Sequence, residues 1–408
     1  MVVATARQKD FSVRNQLLCG LFVLSSLLSA AQPAKPDPNL SLLQRAAEAM
    51  TAGDLKRAES DLQSVLRVTP HDFRALDLLG VIRVLQRREA EAEKLFRRAI
   101  DKNPNFAPAR AHLGLLFYQQ GNTEDALPQL REAVGLDPAR RDASDALVRI
   151  LQDQARAAAE ADDMQKSLAL ITDALKYAPD SPDVQMAMGT IQLQMSLWND
   201  AATSFQNALK LRPNDPLALY NLGRAYLGEW KFEDARQQFA SYVALRPDDA
   251  SGHCALGMTL AALELLPDAR KEFQQSIALA PAQTEAYLRL ALIDLDSKDL
   301  DEAASNLHIV LAHDPKHSGA LSALGRVAFQ QKRYPEAVDL LLQAIAADGS
   351  SHEAHYYLGL TFARLGRNKE SDDQLRIATR LEHDQKEHRN AVFQLAEPTA
   401  NPDPSPPQ

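Results

Sequence analysis

Prolines recur at positions 70, 104, 138, 179, 213, 247, 281 and 315, at intervals of 34 residues except for a single interval of 41 between Pro138 and Pro179. A fixed period of this length confines the chain to stacked copies of one supersecondary unit. The same register places small residues at Ala46, Gly80, Gly114, Gly189, Gly223, Gly257, Ala291, Gly325 and Gly359, which uses seven of the sixteen glycines. Twelve residues later a second small column reads Ala58, Ala92, Ala126, Ser167, Ala201, Ala235, Ala269, Ala303, Ala337 and Ser371. Four residues beyond it stands a large apolar column: Leu62, Phe96, Leu130, Ile171, Phe205, Phe239, Phe273, Leu307, Leu341 and Leu375.

A separation of four residues is one helical turn, so each large residue shares a helix face with its small partner. Composition agrees with helix. Alanine and leucine dominate and aromatic residues make up 6%, which suits helices better than a β-sandwich. Pro267 and Pro335 hold one repeat position, the first turn of a second helix, where a missing N–H is no loss. The late proline ends each unit by the opposite rule.

These columns resemble the tetratricopeptide repeat. Its pattern of a large residue, Leu-Gly, an aromatic, Ala, Phe and Pro is matched by Leu219, Leu222, Gly223, Tyr226, Ala235, Phe239 and Pro247. The resemblance covers residues 39–385 and implies an all-α fold, a right-handed α-solenoid of about ten helix-turn-helix hairpins. Two short helices cannot bury their apolar faces alone, so each hairpin packs on the next. Repeats 1–3 are expected over 39–140, a degenerate repeat 4 over 141–181, and repeats 5–10 over 182–385.

Repeat 4 carries seven surplus residues, and residues 141–162 read as one long first helix with Gln154 where leucine is usual. Either this helix is two turns longer than its counterparts or a short extra turn precedes it, and a bend or hinge is expected there. Pro128, inside the second helix of repeat 3, should kink it at a cost of about 3 kcal/mol unless packing compensates. Gly349 and His383 replace the final proline of repeats 9 and 10. A capping helix is expected over 386–397, carrying Val392, Phe393 and Leu395, followed by a proline-rich disordered tail over 398–408.

Residues 1–31 differ from the rest. Arg7, Lys9 and Arg14 precede an apolar run over 17–28 that ends in Ser29, Ala30 and Ala31, the layout of a secretory signal. The run is shorter than the ~20 residues that span a bilayer. A cleaved signal and a periplasmic or extracellular location are therefore expected over an uncleaved anchor, with 32–38 as linker. Cys19 follows Leu18 rather than a small residue, a poor lipid-attachment site. The mature chain keeps Cys254, read as a packed small residue rather than a nucleophile. Removing 1–31 takes the formal charge from −9 to −11. With both signs interleaved and the acidic in excess, nucleic acid is excluded as a partner.

In the tetratricopeptide family a second stripe on the first helices, columns two, five, nine and twelve, faces an inner groove that holds peptides or partner helices. Here the resemblance assigns to that stripe Tyr118, Met186, Tyr220, Arg224, Leu227, Met258, Leu292, Arg326, Phe329 and Tyr356, with Asn221 beside it. Tyr220, Asn221 and Arg224 form the strongest cluster. Aromatic and methionine side chains would cover apolar groups and arginines would pair carboxylates, although many of these residues would also serve by packing on the next hairpin. The Lys/Asn clamp of chaperone-binding members is missing. So is an asparagine ladder, since the Asn221 column holds His112, Ala187, Ala255, Arg289, Ala323 and Tyr357.

Histidines crowd the last third: His308, His313, His317, His352, His355, His383 and His388. None has the spacing of a zinc-protease motif or its inverse, and they read as turn and surface residues. No metal, cofactor or catalytic constellation is expected, and no stretch of 100 residues is left for a catalytic domain. The expected role is a non-catalytic scaffold for a protein or peptide outside the cytoplasm. The family-based alternative is an accessory subunit of an envelope polysaccharide export or secretion system, with a membrane protein or glycan as partner.

Overall fold

The computed structural model describes the backbone of residues 39–396 and the side chains of 39–384. The expected signal (1–31), linker (32–38) and tail (398–408) lie outside the described residues. Twenty helices and no strands are present among the described residues, joined as ten antiparallel hairpins. Two compact units divide after Pro213.

The first unit holds α1 (Leu40–Thr51) with α2 (Leu55–Val68), α3 (Phe73–Leu85) with α4 (Glu89–Lys102), α5 (Ala107–Gln119) with α6 (Thr123–Leu136), α7 (Arg141–Glu160) with α8 (Met164–Tyr177), and α9 (Pro182–Gln194) with α10 (Trp198–Leu211). The second holds α11 (Pro216–Gly228) with α12 (Phe232–Leu245), α13 (Ala250–Ala262) with α14 (Leu266–Leu279), α15 (Thr284–Ser297) with α16 (Leu300–His313), α17 (Ser318–Gln330) with α18 (Tyr334–Ala347), and α19 (His352–Arg364) with α20 (Asn368–Ala396). Each unit is an α-solenoid of tandem hairpins. Residues 386–396 continue α20 rather than forming an element of their own.

The periodic columns are the contacts that close each hairpin. A Cβ added at Gly80 would lie 2.5 Å from the Phe96 ring, and one at Gly223 would lie 2.8 Å from Phe239. The large partner sits sixteen residues after the small one and is fully buried, as Phe96, Phe205, Phe239 and Phe273 show. Removing one Cβ thus lets a whole ring reach the facing helix, and the ring's burial is the larger gain.

The turn inside each hairpin is equally regular. One residue takes the left-handed conformation in all ten: Gly53, Gly121 and Gly366, but also Arg87, Asp162, Ser196, Trp230, Glu264, Lys298 and Lys332. The next N–H then bonds back into the first helix, as from Asp54 to Ala49 O (2.8 Å) and from Asn122 to Phe117 O (2.9 Å). This closes the helix end in the manner of a Schellman motif. Side-chain caps start many helices: Asp72 accepts from Arg74 N and Ala75 N, and Asp215 from Leu217 N and Ala218 N. Pro128 lies within α6, which runs unbroken from Thr123 to Leu136.

Repeat 4 departs in one measured way. Like the regular first helices, α7 begins three residues after its proline, yet it has 20 residues where α5 and α9 have 13. The Ser167 hydroxyl donates to Ala155 O at 2.7 Å, and Ala155 stands sixteen residues before the buried Ile171, as Gly80 does before Phe96. The seven surplus residues are therefore the first two turns of α7. Seven residues turn through nearly two full revolutions and rise about 10 Å. The apolar face keeps its direction, while contact with α8 moves along the axis. The core cluster runs through this region from Leu43 to Ile191.

A buried polar network lies beside the step. His112 Nδ1 is 2.7 Å from Asp77 Oδ1, and Arg140, just before α7, approaches His112 Nε2 at 3.3 Å and Asp142 at 3.2 Å. Asp77, His112 and Arg140 are all buried, so each charge or dipole depends on the others for solvation.

Candidate partner-binding face

Tyr118 lies near the end of α5, half-buried against the first unit's core. Burial pushes its hydroxyl pKa up, partly opposed by Arg149. It forms one wall of a cleft of about 710 Å³ between α5, α7, α8 and α9. Ala155, Ala159, Ile171, Ala187 and Ile191 line it together with Ser167, whose hydroxyl donates to Ala155 O. Polar groups stand around it, with Arg149, Gln152, Asp153, Arg156 and Glu160 on α7, and Thr190 and Gln194 on α9. Arg156 donates to Asp153 at 2.6 Å. Met186 is half-buried one turn before Thr190, whose hydroxyl donates to its carbonyl; Met186 does not line the cleft.

In the second unit Tyr220 packs edge-on to Phe239 with centroids 5.5 Å apart and lies 5.1 Å from the Tyr242 ring. Burial raises its pKa. Tyr242 in turn donates to Asp249, and burial followed by that bond pushes the phenol up to about 12. Tyr220 is thus largely occupied in packing, and so is Met258, which lies against the same core cluster. Arg224 is exposed and donates to Asn221 at 3.2 Å.

Arg326, Phe329 and Tyr356 come together around a residue outside the stripe, Tyr357. The Arg326 guanidinium lies 5.5 Å from the Tyr357 centroid, Phe329 5.8 Å and Tyr356 5.3 Å. Arg326 also donates to Asp296 at 2.6 Å and to Glu353 at 3.5 Å. Burial works against its charge, but the Asp296 bond and both carboxylates outweigh it, so its pKa rises. Beside it Leu295, Asp296, Lys298, Leu300 and Gln330 line a cleft of about 460 Å³. Tyr356 is exposed and stacks on His352 at 6.0 Å.

The Tyr118 cleft shows what the stripe assignment left out. Counted back from Ala155, columns two, five, nine and twelve of repeat 4 are Arg149, Gln152, Arg156 and Ala159, all of which line it. The signal was the 41-residue interval itself, which shifts these columns by seven from the position that Pro138 suggests.

One histidine expected at a turn or surface, His355, is buried instead, and so is His253. The two hold the same repeat position and bridge loop to helix: His253 contacts Glu272 (2.6 Å) and Pro247 O (3.1 Å), and His355 contacts Gln374 (2.6 Å) and Gly349 O (3.2 Å). Their separation of three repeats puts the same cap on two hairpins. His317 caps α17, with Nδ1 accepting from Ala320 N. Burial pushes the Cys254 thiol up to about 11, away from the thiolate. Among the described residues no three His, Cys, Asp or Glu are grouped to hold a metal ion, and no helix is long and apolar enough to cross a membrane.

Comparison with known proteins places these hairpins. A curated relative, cellulose synthase operon protein C of Xanthomonas axonopodis pv. citri (strain 306), is 29% identical over 164 residues, which is 40% of this chain and 9% of the relative. Among solved structures, the APC/C hetero-tetramer Cut9-Hcn1 is similar at 13% identity, covering 95% of both chains with a TM-score of 0.49. PilW, described as a type IV pilus biogenesis factor, is similar at 19% identity over 51% of this chain and 96% of its own, with a TM-score of 0.47. Tetratricopeptide repeat family models match residues 43–108, 83–151 and overlapping windows from 186 to 352. These windows take in more than half of the sequence and coincide with the observed hairpins, so the chain belongs to the tetratricopeptide repeat family.

Proposed function

We propose that the protein is a non-catalytic scaffold of ten tetratricopeptide repeats that binds a protein or peptide partner outside the cytoplasm. One observation carries the reading: in both units the first helices display polar, aromatic and arginine side chains beside shallow clefts, while titratable groups nearby are tied in structural pairs. Arg326 is held by Asp296 and Glu353, and Tyr242 by Asp249. Groups arranged in this way recognise surface and lack the convergent nucleophile and base that turnover requires. The charged and apolar pattern of residues 1–31 supports export.

A second reading, an accessory subunit of an envelope polysaccharide export system, is favoured by the name of the Xanthomonas relative. The chain spans only 9% of that relative, so its activity does not transfer with the match.

The test uses the exported chain as bait on an envelope extract, with crosslinking and mass spectrometry. The scaffold reading expects soluble partners crosslinked to stripe residues and lost when Arg224→Glu is combined with Tyr356→Ala, two exposed positions whose replacement leaves helix content intact. Recovery of an export complex or bound glycan would favour the second reading. Turnover of an ester, peptide or glycoside, abolished by changing one polar residue, would contradict both.

A further inference from the structure

The buried polar network joins Asp77 on α3 and His112 on α5 to Arg140 and Asp142 at the start of α7. In the position of His112 the later hairpins carry Ala187, Asn221, Ala255, Arg289, Ala323 and Tyr357, so the repeat itself does not require a histidine there. The side chains of Asp77 and His112 are 0% and 1% exposed, and those of Arg140 and Asp142 are 5% and 9% exposed. Their roles assign the protons of the ring. A carboxylate accepts and a guanidinium donates, so Nδ1 carries a hydrogen toward Asp77 Oδ1 at 2.7 Å and Nε2 offers its lone pair to Arg140 at 3.3 Å. His112 is the neutral imidazole in this arrangement. The other helices packed on α5 contribute apolar groups: α4 places the Phe96 ring 5.6 Å from the imidazole, and α6 places Leu130 beside Gly114.

We propose that this cluster is an acid-operated latch: His112 takes up a proton within the core, Arg140 turns from the ring to Asp142 alone, and the start of α7 is released from α5. Charge balance favours the uptake. With both carboxylates ionised, one guanidinium and a neutral imidazole leave one negative charge uncompensated, and a proton on His112 brings the cluster to neutrality. Asp77 already faces Nδ1, so the imidazolium is paired where it forms. Geometry supplies the movement. A hydrogen on Nε2 would face the guanidinium donor against donor and cation against cation, with no acceptor between them. Arg140 has another acceptor at hand, since Asp142 Oδ2 lies 3.2 Å away. The present pairing also leaves Asp77 Oδ2 and Arg140 Nε buried without hydrogen-bond partners among the described residues, so neither ion is bound so completely that it resists re-pairing. The consequence falls on the step in repeat 4. Arg140 is the N-cap residue of α7, and Ser144 N–H donates to its carbonyl at 3.1 Å. The latch does not depend on which partner the scaffold binds.

The full chain is followed from about pH 7.5 to about pH 5.5, the range in which histidine ordinarily changes its charge. Spectra of the chain with nitrogen-15 histidine, assigned by comparison with His112→Gln, should show the His112 ring protonated at Nδ1 alone at the upper pH and at both nitrogens at the lower. Hydrogen exchange read by mass spectrometry and corrected for the intrinsic effect of pH should speed about fivefold or more at Ser144, Asp145 and Ala146, while α3, α5 and the second unit keep their protection. His112→Gln takes up no proton, and Arg140→Gln removes the cation facing Nε2. In either variant the acid response at the start of α7 should fall below about twofold. Exchange there that ignores pH in the parent chain, that responds as strongly in either variant, or that speeds only together with α3 and α5 would overturn the latch. The parent chain alone decides the first and last of these, whether or not a variant folds.

Discussion

The hairpins α11–α12 and α7–α8 follow the same design and differ by two turns of one helix. In α11–α12 a glycine meets a phenylalanine and closes the helices, with Gly223 against the fully buried Phe239. In α7–α8 the corresponding pair is Ala155 and Ile171, both buried and both intermediate in size. This regular hairpin gains close contact from extreme size complementarity. The irregular one uses a less extreme pair, as the regular hairpins with Ala46–Leu62 and Ala291–Leu307 do, and is set apart by its offset. Seven residues are the smallest whole-turn insertion that returns the apolar face to nearly its original direction, which is why the repeat tolerates this length and why the core continues through it.

The contrast can be broken or sharpened by substitution. The largest effects are expected at the large column: Phe239→Ala should cost about 3–5 kcal/mol and Ile171→Ala about 2–4 kcal/mol, read as urea midpoints of the transition reporting each hairpin. Equal costs would mean that the rings contribute nothing beyond an aliphatic side chain. The small column should respond with opposite preferences. Gly223→Val places new atoms where even a Cβ would be 2.8 Å from Phe239, and should cost about 1–3 kcal/mol. Ala155→Gly removes a methyl group that already fits, and should cost about 1 kcal/mol through backbone entropy. A neutral Gly223→Val would refute the close-approach account.

Acid should act on the regular hairpins through their caps. Hydrogen bonds from Tyr242 and from the Ser251 and Gly252 N–H groups hold the Asp249 carboxyl below its ordinary value despite burial. Bonds from Arg74, Ala75 and Asn39 do the same for Asp72. A depressed folded pKa means that these carboxylates stabilise fully above their unfolded value of about 4, and that the contribution fades as pH falls through the lower folded value. Tyr242→Phe should shallow that decline when unfolding midpoints are followed from pH 6 to 3; an unchanged slope would assign acid sensitivity elsewhere. The smallest effects belong to the turns. Trp230 holds a left-handed backbone at φ 60° where Gly121 serves the third hairpin. Trp230→Gly should be neutral to stabilising by up to about 1 kcal/mol, and Asp162→Gly less, because aspartate tolerates that conformation better.

Much of this is legible in the sequence. The proline period, the two small columns and the large column lead directly to hairpins, because each reports a local requirement that one residue satisfies: a helix end, a close approach or a buried face. The functional face was less legible, for physical reasons. Tyr220 and Met258 share the stripe's spacing but spend their surface on the core, and spacing alone does not separate a side chain that packs from one that waits. Spacing gives Tyr357 only as a replacement in the Asn221 column, yet it gathers Arg326, Phe329 and Tyr356 because aromatic reach extends across neighbouring rows. Arg149 and Arg156 of α7 follow from the same column rule but are hidden by the seven-residue shift. Asp77 sits in repeat 2 and His112 and Arg140 at opposite ends of repeat 3, and no periodic signal joins them.

The most direct measurement compares the full chain with a variant lacking residues 141–147, which restores the 34-residue interval and brings α7 to regular length. Helix content should fall by no more than the residues removed, while the partner crosslinked to the parent chain binds at least tenfold more weakly because the offset in repeat 4 is gone. Undiminished binding by a well-folded deletion variant would contradict the claim that the step in repeat 4 builds the binding face.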